Sequence, residues 1–280
     1  MKQSRSLLKK IVVAAAAAAA AAYLYIDNNV AMSSYYRLQS DKLTAGTDYR
    51  ITFVSDLHNK RFGKNNKKLA DIIKKASPHA VIIGGDAVSG MRKDYLGGLK
   101  ELVASLGGEY PLYFAQGNHE RAYPFTAVKS DIESMGITFL YNNCIDVQDN
   151  ELPITVYGLP DKAILNKNSI SSAFDKINKN NCNILLMHRP DGFKHAAECG
   201  FDLVLSGHVH GGFIRLPFIG GLLSPNRTFL PKYDSGTYNI GNSTLVVSRG
   251  LGTADNYPLF NHLPLRINNP PELVFIDIYN

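Results

Sequence analysis

From Tyr49 onward, short runs of β-branched and aromatic residues alternate with amphipathic stretches. Arg50-Ile51-Thr52-Phe53-Val54-Ser55 reads as a strand that ends at Asp56. Leu69, Ile72, Ile73 and Ala76 then recur at i, i+3, i+4 and i+7, the apolar stripe of a helix. Residues 80–83 are uniformly apolar, as a strand covered on both faces is, and they end at Gly84-Gly85-Asp86. The same reasoning predicts a helix over 94–105, a strand over 110–115, a helix over 128–135, and strands near 137–141 and 154–157. In the second half, 183–187 reads as a strand that leads into His188, and 201–205 as one that leads into Ser206-Gly207-His208. Residues 244–247 and 273–276 read as closing strands. Strand and helix in alternation, followed by strand-rich closure, imply an α/β fold of sheets covered by helices. No repeat or linker interrupts residues 49–280, which read as one domain, and the polar segment 27–48 reads as the linker leading into it.

The N-terminus follows a different pattern. Lys2, Arg5, Lys9 and Lys10 precede an uncharged, alanine-rich run from Ile11 to Ile26. As a helix this run is about 24 Å long, against a hydrocarbon core of about 30 Å. A signal anchor, a cleaved signal peptide and an alanine-rich surface helix all fit residues 1–26. The basic flank favours the first two, and Tyr23-Leu24-Tyr25-Ile26 extends the block with side chains suited to a membrane interface. A basic N-terminal flank predicts that end in the cytoplasm, with the catalytic domain outside it as a single-pass membrane protein, or secreted after cleavage. These four cations also account for much of the net charge of +6, so the body is close to neutral. Nucleic-acid binding is therefore not expected, because such a domain keeps its basic surface in the folded part. Cys144, Cys182 and Cys199 lie far apart without C-x-x-C spacing and read as buried, unpaired thiols.

The chemistry sits at the strand ends. Asp56-Leu57-His58, Gly84-Gly85-Asp86, Gly117-Asn118-His119-Glu120, His188 and Gly207-His208-Val209-His210 each follow an expected strand. In α/β sheets, ligands gather outside the carboxyl ends of strands. Residues two apart in an extended segment face the same side, so His208 and His210 can reach one site. Five of the 8 histidines fall in these motifs, and His79, His195 and His262 are left as structural. Two carboxylates, an amide and several imidazoles suit manganese, iron or zinc better than calcium. Two such cations side by side can acidify water and clamp phosphoryl oxygens.

On these motifs the chain resembles the calcineurin-like metallophosphoesterase family, from about Tyr49 to the C-terminus. The resemblance implies a four-layer α/β/β/α sandwich. It implies one metal held by Asp56, His58 and His210, and a second held by Asn118, His188 and His208, with Asp86 bridging them. It places His119 over the substrate phosphate as a catalytic group, not a ligand. Arg249, in Ser248-Arg249-Gly250-Leu251-Gly252, resembles a late block of the same family and is read as substrate-binding.

The segment after His210 is apolar, with Phe213, Ile214, Leu216, Pro217, Phe218, Ile219, Leu222 and Leu223 broken only by the charge of Arg215. Either it holds acyl chains or dips into a bilayer, or it is a loop closing over the core. The chain is similar to the membrane-attached branch of the family, which includes hydrolases of UDP-2,3-diacylglucosamine and phosphodiesterases of unknown substrate. One departure is Phe213, which stands where that branch commonly has glutamine. The expected activity is membrane-attached, dinuclear-metal-dependent hydrolysis of a phosphodiester or pyrophosphate, with a lipid or cell-envelope precursor as the substrate class. The alternatives are a phosphomonoesterase or nucleotide phosphatase, and a catalytically silent metal-containing binding protein.

Overall fold

The computed structural model describes residues 2–89, 94–147, 152–161, 166–174, 177–253 and 266–280. In chain order its helices are α1 (Lys2–Asn29), α2 (Lys67–Ala76), α3 (Gly97–Leu106), α4 (Phe125–Glu133), α5 (Lys167–Ser171) and α6 (Phe193–Cys199). The strands of the first half are β1 (Met32–Gln39), β2 (Asp48–Val54), β3 (Ala80–Ile83), β4 (Leu112–Ala115), β5 (Thr138–Leu140), β6 (Asn143–Asp146) and β7 (Ile154–Gly158). Those of the second half are β8 (Cys182–Leu186), β9 (Leu203–Ser206), β10 (Arg215–Leu216), β11 (Gly220–Gly221), β12 (Gly236–Ile240), β13 (Ser243–Val247) and β14 (Glu272–Tyr279).

Two six-stranded sheets face each other, in the orders β1-β14-β2-β3-β4-β5 and β12-β13-β9-β8-β7-β6. Strands β2 to β5 run parallel, as do β7, β8, β9 and β13. The period-2 alternation of each strand explains the layers. Phe53, Ile82, Ile184, Leu186, Leu203 and Leu205 point between the sheets into one shared core. Their neighbours Val54, Val81 and Ile83 face outward onto Leu69 and Ile73 of α2, Leu99 and Leu102 of α3, and Val128 and Ile132 of α4. On the other outer face, Leu185, Val204 and Leu245 meet Phe193 and Ala196 of α6. The result is a four-layer α/β/β/α sandwich. Its central strands are apolar on both sides, which is why their runs carried no polar alternation.

Two elements differ from the sequence expectation. The segment 27–48 carries β1, paired in parallel with β14 from Met32↔Glu272 to Gln39↔Tyr279. This strand is an edge, alternately half-buried and exposed, so its polar side chains disguise it. Helix α1 runs past both ends of the apolar block, and at 28 residues spans about 42 Å. Its stretch Ser6–Asn29 is long and apolar enough to cross a membrane, and its side chains are exposed from Ser6 to Tyr23. The end of α1 is fastened to the body. The Asn269 amide N–H donates to Asp27 Oδ2 at 3.1 Å, Asn28 Nδ2 donates to the Arg266 carbonyl at 3.1 Å, and Lys60 Nζ donates to the Asn28 carbonyl. The cysteines are free, with Cys182 buried, Cys199 half-buried and Cys144 exposed. The expectation of burial thus fails at Cys144, which lies on an outer edge strand.

Phe275 is fully buried at the centre of β14 and stacks on Tyr35 of β1 with ring centroids 4.9 Å apart. Phe275→Ala is expected to lower unfolding stability by about 3–5 kcal/mol, read as a reduced urea midpoint at unchanged m-value.

Candidate metal centre

Each chemical motif begins within two or three residues of a strand's carboxyl end. Asp56 follows β2, Asp86 follows β3, Asn118 and His119 follow β4, His188 follows β8, and His208 and His210 follow β9. Parallel packing therefore delivers loops from both sheets to one edge of the sandwich. Glycines let the carboxylates lie against neighbouring backbone. A Cβ at Gly207 would sit 2.2 Å from Asp56 Oδ2, and one at Gly117 would sit 2.3 Å from Asp86 Oδ1. Asp56, His58, Asp86, His208 and His210 all hold positive φ, between +46° and +68°. Such backbone costs of order 1–3 kcal/mol at each residue, and it clusters where side-chain aim matters more than stability.

These loops bring together three groups able to hold a metal ion, namely Asp56 with His58 and His210, His58 with Asp86 and His119, and Asp86 with His188 and His208. His58 Nε2 lies 3.3 Å from His210 Nε2. His210 Nε2 lies 3.5 Å from Asp56 Oδ1, and His188 Nε2 lies 3.1 Å from Asp86 Oδ2. Asp86 is shared by two of the groups and is buried. Asn118 Oδ1 is buried with no hydrogen-bond partner. An orphaned amide oxygen and facing imidazole nitrogens are what a cation-binding donor set presents before loading, so the residues fit a metal.

The second contacts of these groups fix their aim. His188 Nδ1 bonds the Gly84 carbonyl at 2.8 Å, and His58 Nδ1 lies 3.2 Å from the Val88 carbonyl. Each ring thereby turns Nε2 inward. Asp56 accepts from Ser55 Oγ at 2.6 Å and from the His208 N–H at 3.1 Å. Asp86 Oδ1 accepts the His119 N–H at 2.8 Å.

Electrostatics point the same way. Burial, with the charge of Asp86 added, pushes the Asp56 carboxyl up to about 6 despite His188. Burial opposes ionisation of Asp86 too, yet the charge of His188 and its hydrogen bond hold Asp86 well below the usual carboxylate range. Burial likewise disfavours a charged His188, but Asp86 and Asp56 outweigh it and raise the imidazole to about 10. Burial lowers His58 to about 4 against the pull of Asp86. Burial and then His188 lower His208 to about 3, and burial holds His210 well below its ordinary value. The paired carboxylates thus favour positive charge at the position of His188, while burial disfavours the charged form of His58, His208 and His210 and leaves the lone pairs that bind metals.

His119 differs from these rings. Its side chain is 18% exposed, against 0% for His58 and His188 and 2% for His210, and it stands edge-on to His58 with centroids 4.5 Å apart. Arg249 runs beside the His210 loop, where a Cβ at Gly211 would lie 2.9 Å from its Cγ, and its guanidinium Nη2 is 3.3 Å from Glu272 Oε1, with its N–H donating to Glu272 Oε2 at 2.8 Å. Phe213 stacks on His210 with rings 14° apart. His79 accepts the Arg50 N–H at 2.9 Å and His195 meets Glu198 at 3.3 Å, whereas His262 lies outside the described residues.

Three further residues support the site, and sequence reasoning gave them no role. Glu120 is buried and accepts from the N–H groups of Asp86 at 2.9 Å, Ala87 at 2.8 Å, Val88 at 3.2 Å and Gly117 at 2.8 Å. It ties the Asp86 loop to the Asn118 loop. Its carboxyl is pushed up to about 7 by burial and by Asp86. Arg266, fully buried, donates to the carbonyls of Arg249, Gly250 and Gly252, and the Gly252 N–H in turn donates to the Asp56 carbonyl at 2.6 Å. Arg189 is held by Asp161 at 2.7 Å and places Nη1 2.8 Å from His208 Nε2. The position of Glu120 inside the Gly117–Glu120 motif was the one available signal.

The sequence matches the family model described as calcineurin-like phosphoesterase over residues 49–212. An uncharacterized metallophosphoesterase of Bacillus subtilis, YkuE, is 26% identical over 256 residues, covering 89% of this chain and 86% of its own. The phosphodiesterase YaeI of Escherichia coli is 25% identical over 238 residues, covering 82% of each chain. Among solved structures, phosphopantetheinyl hydrolase from Mycobacterium tuberculosis aligns with a TM-score of 0.47 at 11% identity, over 79% of this chain and 95% of that one.

Glu120→Gln turns one acceptor oxygen into an amide donor that faces backbone N–H groups. Stability is expected to fall by at least about 2 kcal/mol in chemical denaturation. Metal content per chain, measured by elemental analysis, is expected to fall with it.

Proposed function

The chain belongs to the calcineurin-like phosphoesterase family and is a metal-dependent phosphoester hydrolase, and from that premise we propose that it cleaves a phosphodiester or pyrophosphate with two bound divalent cations. Asp86 carries this reading, because it belongs to two of the three ligand groups and sits between the imidazoles of both sheets. Asp56, His58 and His210 would hold one cation, and Asn118, His188 and His208 the other. The mixed nitrogen and oxygen donors favour manganese, iron or zinc. When bound, such cations neutralise phosphoryl oxygens and acidify water enough to supply hydroxide near neutral pH.

The chain's own residues do the rest. The buried histidines and carboxylates exclude bulk water and hold the donor atoms in fixed directions, which strengthens every charge interaction at the site. The greater exposure of His119 among the imidazoles measured above supports it as the group that gives a proton to the leaving oxygen. Arg249 is the phosphate-side cation in this reading, its guanidinium turning toward substrate from Glu272 Oε1. The phosphodiesterase named among the relatives supports a diester over a monoester. The exposed apolar stretch of α1 supports attachment as a single-pass signal anchor with residues 49–280 outside the cytoplasm, where a lipid-linked phosphoester is the substrate class that fits.

Bis-p-nitrophenyl phosphate is expected to turn over with a higher kcat/KM than the mono ester. The reverse order would replace the diesterase reading with a phosphomonoesterase. Chelation is expected to abolish turnover, and added manganese, iron or zinc to restore it. His119→Ala is expected to lose about 10²–10⁴-fold in kcat with metal content unchanged. Loss of metal in that variant would make His119 a ligand instead.

A further inference from the structure

The chain from Phe213 to Tyr233 leaves the metal centre and forms two successive turns. Strands β10 and β11 pair around Pro217–Ile219, closed by the Ile219 N–H on the Leu216 carbonyl at 3.2 Å. The second turn is closed by the Leu230 N–H on the Leu222 carbonyl at 2.9 Å and by a bridge between Leu223 and Phe229. These turns carry apolar side chains outward. Phe218 is fully exposed, Phe229 is 69% exposed and Ile219 59%, with Leu216 and Leu230 beside them. Phe218 also takes φ +66°, a conformation an aromatic residue rarely adopts. The charges in this stretch are Arg215, Arg227 and Lys232, with no acid among them. Arg215 is paired with Asp234, while Arg227 and Lys232 are exposed. Apolar tips flanked by exposed cations, Arg227 and a Lys232 that lies over the Tyr233 ring, are the composition that an anionic lipid surface accepts.

Two observations select a bilayer over a protein partner. The turns and helix α1 are mounted on the same short segment, 266–269. Its Asn28 and Asp27 bonds hold the end of α1, and the Arg215 N–H donates to the Ile267 carbonyl at 3.0 Å. Asn269 Nδ2 also donates to the Phe213 carbonyl at 3.0 Å and to the His210 carbonyl at 2.7 Å. A helix apolar enough to cross a membrane and the exposed turns therefore share one rigid root with the metal loop. The second turn also reaches the site itself, where Asn226 Oδ1 lies 3.2 Å from His208 Nε2 and accepts from Arg189 Nη1 at 3.1 Å. The apolar surface begins at the rim of the metal centre.

We infer that the turns over residues 215–230 rest in the interface of a bilayer and present the metal centre to the phosphoester of an amphiphile whose apolar part stays in the membrane. The choice of substrate rests on the hydrolytic reading above, whereas the lipid contact stands apart from it. The chain has no tryptophan, so Phe218→Trp supplies a single reporter. The full chain would be reconstituted into phosphatidylcholine and phosphatidylglycerol vesicles, with and without brominated acyl chains. The expected result is blue-shifted emission and strong quenching by the brominated lipid. Ile240→Trp, on an exposed edge strand at the opposite end of the sheet, is expected to be unaffected. Water-like, unquenched emission from the Phe218 position would overturn the inference even with the protein retained in the vesicles. Emission that shifts only as protein concentration rises would assign the surface to a second copy and overturn it equally. Paired Phe218→Asp and Ile219→Asp substitutions are expected to raise KM at least tenfold for a vesicle-borne phosphodiester, with turnover of bis-p-nitrophenyl phosphate unchanged. Equal loss on both substrates would overturn the substrate assignment. Inactivity of the unsubstituted chain on both would refute the hydrolytic reading and leave the quenching result to decide the lipid contact.

Discussion

Asp56 and Asp86 are two carboxylates withdrawn from water at one end of the molecule, and their mutual repulsion has to be met by positive charge placed between them. Burying an unpaired ion costs several kcal/mol, far more than one surface contact returns. The demand falls where His188 Nε2 lies 3.1 Å from Asp86 and 3.9 Å from Asp56, a position at which the two carboxylates favour a cation. The same burial disfavours the charged forms of His58, His208 and His210, and the neutral form is the one in which imidazole offers a lone pair. Charge demand and ligand supply thus have a single cause, the exclusion of water.

Holding that arrangement requires rigid supports. Glu120 joins two loops through four backbone N–H groups, and Arg266 gathers the carbonyls that back the Asp56 loop. Both are strongly polar side chains whose burial is offset by hydrogen bonds to backbone groups of opposite polarity. Five site residues hold left-handed backbone, a local cost offset by the packed sheets beneath. The sandwich is therefore the rigid part, and the strained loops are the part that does chemistry.

Legibility in the sequence follows burial. The central strands were readable because both faces are covered, which forces apolar runs such as Ala80–Ile83 and the Ile-Leu-Leu end of Cys182–Leu186. Helix α2 was readable because one face is buried and one is not. Strand β1 was hidden because an edge strand with one wet face tolerates Ser33, Ser34 and Arg37, and only pairing with β14 reveals it. The length of α1 was understated because helix continues through polar residues at both ends of the apolar block. Arg189 and Arg266 had no signal at all, since nothing near them in the chain indicates the carboxylate or carbonyls they reach.

By itself the sequence offered the inventory: candidate metal ligands, the strand that each follows, and an apolar N-terminal block ahead of the body. These are local properties, set by side-chain chemistry and by the period of burial along one element. Tertiary structure alone decided which of those residues meet, which supports reach across from distant strands, and which apolar turns face outward beside the site. Those depend on contacts between residues tens to hundreds of positions apart, where the energy lies in the pairing and neither partner carries it alone.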